Sequence, residues 1–253
     1  MHGETTGRMD RGDGVELAWA RLDGRSPTVV FLPGFNSDMD GVKALELRDA
    51  CAGSGHAMLR LDYSGHGRSG GAFTDGSIGR WSTDARLLIE RLTEGELILV
   101  GSSMGGWIAL LLAGQLAGRV RALIGIAAAP DFTERLMWDA MSPAEQAELV
   151  RTGRREIPSQ YGDPYVITIG LIEDGRRHML LGAPIAFDGP VRLLQGQRDD
   201  DVPWEQALTL ADRLTSTDVR VTLIKDGDHR LSRPQDLRLL RAALGALLGE
   251  DGA

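Results

Sequence analysis

One stretch constrains this chain more than any other: Leu97 to Gly106, reading LILVGSSMGG. Leu97, Ile98, Leu99 and Val100 form a short apolar run that fits a strand buried on both faces, and Trp107, Ile108, Leu110, Leu111 and Leu112 follow at once as a helical pattern. Between them, Gly101-Ser102-Ser103-Met104-Gly105 is a G-x-S-x-G on a strand-to-helix turn too tight for a side chain at either glycine. Such a turn is strained and holds the serine hydroxyl clear of the sheet, at the N-terminus of a helix. Ser103 is therefore the candidate nucleophile. Its neighbour Ser102 is the rival, but placing the motif on Ser102 loses the second glycine.

The rest of the chain alternates around this turn. Strands are expected at Val15–Leu22, Thr28–Leu32, Ala57–Asp62, Val120–Ala127, Pro190–Gln195 and Val219–Ile224. Helices are expected at Asp40–Ser54, Ile78–Leu92, Trp204–Leu214 and Pro234–Leu248. This alternation predicts an α/β fold: one domain over 1–253, with a mostly parallel central sheet and helices on both faces. Pro33-Gly34-Phe35-Asn36 and the glycine-rich turn Tyr63–Gly70 then fall at the carboxyl edge of the sheet, where ligands sit in such folds. The order breaks over 131–189. There, amphipathic pieces such as Thr133–Met141 and Pro143–Arg151 are separated by Pro158, Pro164 and Pro184, with no obvious central strand. This segment is expected to be a helical lid inserted over the sheet edge.

Composition narrows the partners. Against 28 Lys and Arg stand 36 Asp and Glu, a formal charge of -8 with no long basic run, which argues against nucleic acid as a partner and disfavours an anionic membrane. No apolar segment reaches the ~20 residues needed to span a bilayer. The first fourteen residues are polar and carry Glu4, Asp10 and Asp13, unlike a secretory or organelle leader, so a cytoplasmic location is expected. Cys51 is the single cysteine, which rules out an internal disulfide and cysteine-based metal clusters. No G-x-G-x-x-G follows the first strand and no ligand cluster stands out, so neither a metal nor a nucleotide cofactor is expected. Nothing in the chain sets an oligomeric state.

A serine attacks well only beside a base, and the base needs an orienting acid. Of five histidines, His229 lies in Lys225-Asp226-Gly227-Asp228-His229-Arg230, after the last strand and on the same sheet edge as Ser103. His66, in Gly65-His66-Gly67-Arg68-Ser69, is the competitor; because it precedes the serine, a structural or pocket-wall place suits it better. The acid belongs in the loop after the preceding strand, where Asp199, Asp200 and Asp201 are adjacent and spacing alone leaves the choice open.

Taken together, these residues resemble the α/β-hydrolase superfamily over almost the whole chain. Within it, the segments Leu61–Gly65, Leu99–Trp107, Val202–Trp204, Ala211–Arg213, Ser216–Val219 and Asp228–Arg230 are similar to a branch of palmitoyl-protein thioesterases and acyl-glucuronide esterases. The family's G-x-x-D-x-x-V-P loop fits Gly196–Pro203 and singles out Asp199. The resemblance implies a Ser103, Asp199 and His229 triad, oxyanion donors at the backbone N–H groups of Phe35 and Met104, and hydrolysis of acyl thioesters and activated acyl esters. The implied partners are a small-molecule acyl substrate and an S-acylated protein. A general carboxylesterase, and a fold kept for ligand binding alone, are the alternatives. Pro33-Gly34 departs from the His-Gly of many members. Phe132, Leu136, Met137, Trp138, Met141, Tyr161, Tyr165, Ile169 and Met179 would give the lid an apolar face for an acyl chain or simply pack it onto the sheet, with His66 on the pocket wall or structural, and Arg176 and Arg177 on a solvated face or meeting an anionic leaving group.

Overall fold

The computed structural model describes residues 3–116, 118–157 and 164–249. Its centre is β5 (Leu97–Ser102), every residue of which is buried. Strand periodicity sends Leu97 and Leu99 into one apolar layer and Ile98 and Val100 into the other. The first layer is completed by Trp81 and Leu88 of α2 (Ile78–Leu92) and by Trp107 and Leu112 of α3 (Met104–Gln115). The second holds Ala44 and Leu47 of α1 (Val42–Ser54) with Leu240 and Leu244 of α7 (Pro234–Leu248). A strand apolar on both faces can be stable only inside such a sandwich, and each fully buried leucine in it contributes about 2 kcal/mol.

The remaining strands of this sheet are β1 (Glu4–Asp10), β2 (Glu16–Leu22), β3 (Arg25–Leu32), β4 (His56–Leu61), β6 (Val120–Ile126), β9 (Val191–Gly196) and β10 (Val219–Ile224). Their spatial order is β1-β2-β4-β3-β5-β6-β9-β10. β1 pairs antiparallel with β2 and β2 with β4, whereas every pairing from β4 through β3, β5, β6 and β9 to β10 is parallel. All the parallel strands therefore end at one edge, where Ser103 follows β5. α6 (Glu205–Arg213) links β9 to β10. The expected elements are found within a residue or two of their bounds, Thr28–Leu32 excepted, which begins earlier, at Arg25. β1 was not expected: its polar residues lie at the sheet edge, held partly by Glu4 against the buried guanidinium of Arg60 at 2.7 Å.

The chain leaves the sheet between β6 and β9. A π-helical turn covers Thr133–Trp138, α4 (Pro143–Thr152) starts from a capping box of Ser142 and Glu145, and α5 (Ile169–Arg177) follows. Between α4 and α5, β7 (Arg154–Ile157) and β8 (Tyr165–Thr168) pair antiparallel, so the segment is not all-helical as expected. Short strands separated by a proline-bearing connection carry too little periodicity to be read from sequence. The two ends of the excursion are joined at Asp131, a fully buried side chain at φ +61° whose carboxylate accepts the N–H groups of Leu180 at 2.7 Å and Leu181 at 2.9 Å. Among the described residues no helix is long and apolar enough to cross a membrane.

Candidate active site

Ser103 sits at φ 53° and ψ -118°, a conformation that costs a non-glycine residue roughly 1–3 kcal/mol. Three backbone hydrogen bonds impose it: its N–H donates to Ile126 at 2.9 Å, and its carbonyl accepts from Gly106 at 2.9 Å and Ala129 at 3.1 Å. A Cβ on Gly105 would run into the carbonyl oxygen of Leu32, and one on Gly101 into that of Gly105, which is why the motif needs both glycines. The Ser103 side chain makes no capping bond to α3, so its hydroxyl is left free of the helix end. Met104 is fully buried, as the first residue of that helix.

Two further loops meet at the same edge. The loop after β9 and the loop after β10 are bonded to each other: Gln197 N–H donates to Ile224 and Arg198 N–H to Gly227, both at 2.9 Å. Gly196 packs so closely on the Gly227–Asp228 backbone that any side chain there would separate them. The result brings Asp199 to His229. Nδ1 of His229 lies 2.9 Å from Oδ2 and 3.1 Å from Oδ1 of Asp199, whose side chain is fully buried, while that of His229 is 17% exposed. Asp200 and Asp201 are exposed. Oδ1 of Asp199 also accepts the N–H groups of Asp201 at 3.0 Å and Val202 at 2.8 Å. The carboxylate is thus fixed from several sides, and it presents itself to the imidazole. Asp199, Asp201 and His229 also form a group of side chains that could hold a metal ion, with ligand atoms within 4.8 Å of one another, but it reuses the carboxylate and imidazole already bonded to each other.

Sequence reasoning missed Gln195. This buried amide donates from Nε2 to Oδ2 of Asp199 at 2.9 Å, while its Oε1 has no protein partner. No motif flags it, since its role depends on the β9 loop folding back upon its own strand.

Phe35, in the turn after β3, touches the rings of Phe73, Trp81, Phe132 and Tyr165 at centroid distances of 4.9, 5.8, 5.7 and 5.4 Å. Tyr165 of β8 is thereby brought against the turn that carries Phe35. Met137 and Trp138 are partly buried against the main core, and Tyr161 lies outside the described residues. His66 is 4% exposed, with Nε2 facing the Asn36 N–H and Nδ1 facing the Ser64 carbonyl. Arg176 and Arg177 are each paired with a carboxylate. Arg176 grips both carboxylate oxygens of Glu134 and lies 4.6 Å over the Trp138 ring, while Arg177 pairs with Asp174 at 2.7 Å.

Residues 25–159 match the family model described as serine aminopeptidase S33. The mitochondrial palmitoyl-protein thioesterase ABHD10 of Mus musculus is 39% identical over 95% of this chain and 81% of its own. The solved structure of the mouse α/β-hydrolase domain-containing protein 10 superimposes with a TM-score of 0.90 at 38% identity, covering 98% of this chain and 100% of that one. A putative hydrolase from Agrobacterium vitis S4 gives a TM-score of 0.91 at 42% identity, covering 97% and 98%. The expected cytoplasmic location is corrected by these findings, since the ABHD10 relatives are named mitochondrial. Glu4 and Asp10, two of the acidic residues that suggested it, belong to strand β1 at the sheet edge.

Proposed function

This chain belongs to the α/β-hydrolase family and is a hydrolase, and from that premise we propose that it cleaves acyl thioesters and activated acyl esters, acyl glucuronides among them, through Ser103, His229 and Asp199. The observation that carries the reading is the buried Asp199 carboxylate bonded to His229 on the edge where the strained Ser103 turn emerges. In this mechanism Nδ1 of His229 donates to Asp199, leaving Nε2 to take the Ser103 proton as the hydroxyl attacks the acyl carbon. The imidazolium then protonates the departing thiolate or alkoxide. Water repeats the sequence on the acyl-enzyme. Backbone N–H groups of Phe35 and Met104 receive the oxyanion, the latter assisted by the N-terminus of α3.

The segment 131–189 acts as a lid whose apolar face, with Met137, Trp138 and Tyr165, receives the acyl group, small-molecule or protein-borne. A thiolate is a better leaving group than an alkoxide, so the lid's fit to the acyl chain weighs more in specificity than leaving-group protonation does. Parallel kinetics on a palmitoyl thioester, an acyl glucuronide and a short-chain 4-nitrophenyl ester test the proposal. Expected are labelling of the wild type by a fluorophosphonate probe, none in Ser103→Ala, and a fall in kcat/KM of several orders of magnitude in that variant. Retained activity in Ser103→Ala overturns the triad. A flat chain-length profile removes the acyl-binding role of the lid and leaves a general carboxylesterase.

A further inference from the structure

The turn Pro33-Gly34-Phe35-Asn36 is held at each successive peptide. The Pro33 carbonyl accepts the Tyr63 hydroxyl at 3.3 Å, the Gly34 carbonyl accepts the Ser37 N–H at 3.2 Å, and the Asn36 N–H donates to Nε2 of His66 at 3.2 Å. The Phe35 N–H therefore lies between two anchored peptide planes: its own, fixed through the Gly34 carbonyl, and the next, fixed by His66. Asn36 itself is at φ 53°, in the left-handed region, where an unanchored residue relaxes readily.

The roles on the ring are forced. A backbone N–H only donates, so Nε2 of His66 accepts; the Ser64 carbonyl only accepts, so Nδ1 at 3.2 Å carries the proton. The imidazole is thus neutral and of one tautomer. Burial pushes its pKa down to about 4, which keeps Nε2 an acceptor at neutral pH. The ring is wedged edge-on between Trp81 at 5.0 Å, Phe73 at 5.1 Å and Tyr63 at 5.6 Å. Behind it, Ser64 receives the Trp81 indole N–H at 3.0 Å and gives its own N–H and hydroxyl to the buried Asp84 at 2.9 and 2.6 Å. A rigid chain thus runs from Asp84 through Ser64 and His66 to one amide of a surface turn. Core packing alone needs no acceptor at this place, and a phenyl ring would fill it.

We propose that His66 is a positioning residue for the oxyanion site, holding the turn so that the Phe35 N–H points at the oxygen on which charge develops. This rests on the reading of Ser103 as nucleophile and of the Phe35 N–H as oxyanion donor. His66 does not touch the reacting atoms and acts through the Asn36 amide.

The test compares wild type, His66→Phe and His66→Met, which lack the acceptor, and His66→Gln, whose amide oxygen reaches the place of Nε2. Each is assayed for kcat and KM on a 4-nitrophenyl ester and on its thionoester. Sulfur is a weak acceptor, so the thionoester gains little from the oxyanion donors. Losing the orientation of one donor should lower kcat on the ester about 10- to 100-fold with little change in KM. The ratio of ester to thionoester kcat/KM should fall by a similar factor, and His66→Gln should regain at least tenfold of the loss. Where His66→Phe does not fold, the comparison of Met with Gln stands in its place. Equal kcat in the acceptor-free and Gln variants, or equal losses on ester and thionoester, overturns the inference. Failure of the wider reading is separate: it is seen as activity retained in Ser103→Ala, whatever His66 does.

Discussion

Replacing Asp199 by Asn exchanges one carboxylate oxygen for an NH2 group and isolates the work of the charge. Oδ1 accepts two backbone N–H groups, from Asp201 and Val202, so the amide oxygen of Asn takes that side. The new NH2 then occupies the place of Oδ2, facing Nε2 of Gln195 and Nδ1 of His229, both at 2.9 Å. Two donors cannot share that contact. Turning the Gln195 amide would give its unpartnered Oε1 a donor, but it would also set that oxygen against the Gly196 and Val202 carbonyls, to which Nε2 donates at 3.3 and 3.2 Å. His229 can answer only by moving its proton to Nε2, which removes the acceptor for the serine hydroxyl. The folding cost is therefore one to three disturbed hydrogen bonds, roughly 1–3 kcal/mol, or a Tm lower by about 2–12 °C. The kinetic cost is the loss of the reactive tautomer, about 10⁴-fold in kcat, or roughly 5 kcal/mol of barrier. Initial rates on a 4-nitrophenyl ester, with thermal unfolding in parallel and the exposed Asp200→Asn as control, measure both. A folded Asp199→Asn enzyme with kcat within tenfold of wild type would refute the argument.

Three other perturbations follow from the same contacts. His66 has its pKa pushed from the ordinary 6.5 to about 4, so between those values the unfolded chain binds a proton that the folded one refuses, and stability falls as the pH drops through this window. Between pH 7 and pH 4.5 this amounts to roughly 2.5 kcal/mol, and urea denaturation at those two pH values should show a drop smaller by about this amount in His66→Gln; parallel drops in the two proteins refute it. Asp131→Ala leaves the Leu180 and Leu181 N–H groups without their acceptor, for an expected loss of roughly 2–5 kcal/mol, read as a lower Tm; an unchanged Tm means that water replaces the carboxylate. Gly105→Ala drives a methyl group into the Leu32 carbonyl and should cost roughly 3 kcal/mol or more, with loss of fluorophosphonate labelling; a stable, normally labelled variant would show the turn to be looser than described.

The parts of this molecule that could be read from sequence are those in which local pattern and tertiary demand coincide. Leu97–Val100 is apolar on both faces because both faces are covered, and Ile78–Leu92 shows its inward stripe because one face is. β1 was invisible for the complementary reason: with no residue fully buried, it lies in the sheet through backbone pairing with β2, and hydrogen bonding leaves no hydropathy signature. The β7–β8 hairpin was lost likewise, in two four-residue strands too short to show a period. At the candidate site, the turn carrying Ser103 and the loop carrying His229 are marked by local motifs, whereas spacing did not separate the three adjacent aspartates: the resemblance singled out Asp199, and burial is what sets it apart from the exposed Asp200 and Asp201. The same limit explains His66. Its sequence neighbourhood advertises a glycine-rich turn beside a sheet edge, a setting equally suited to a base, a pocket wall or a scaffold. The outcome depends on an amide thirty positions earlier, since a histidine whose two nitrogens face a backbone N–H and a backbone carbonyl has neither a proton to give nor a lone pair to lend.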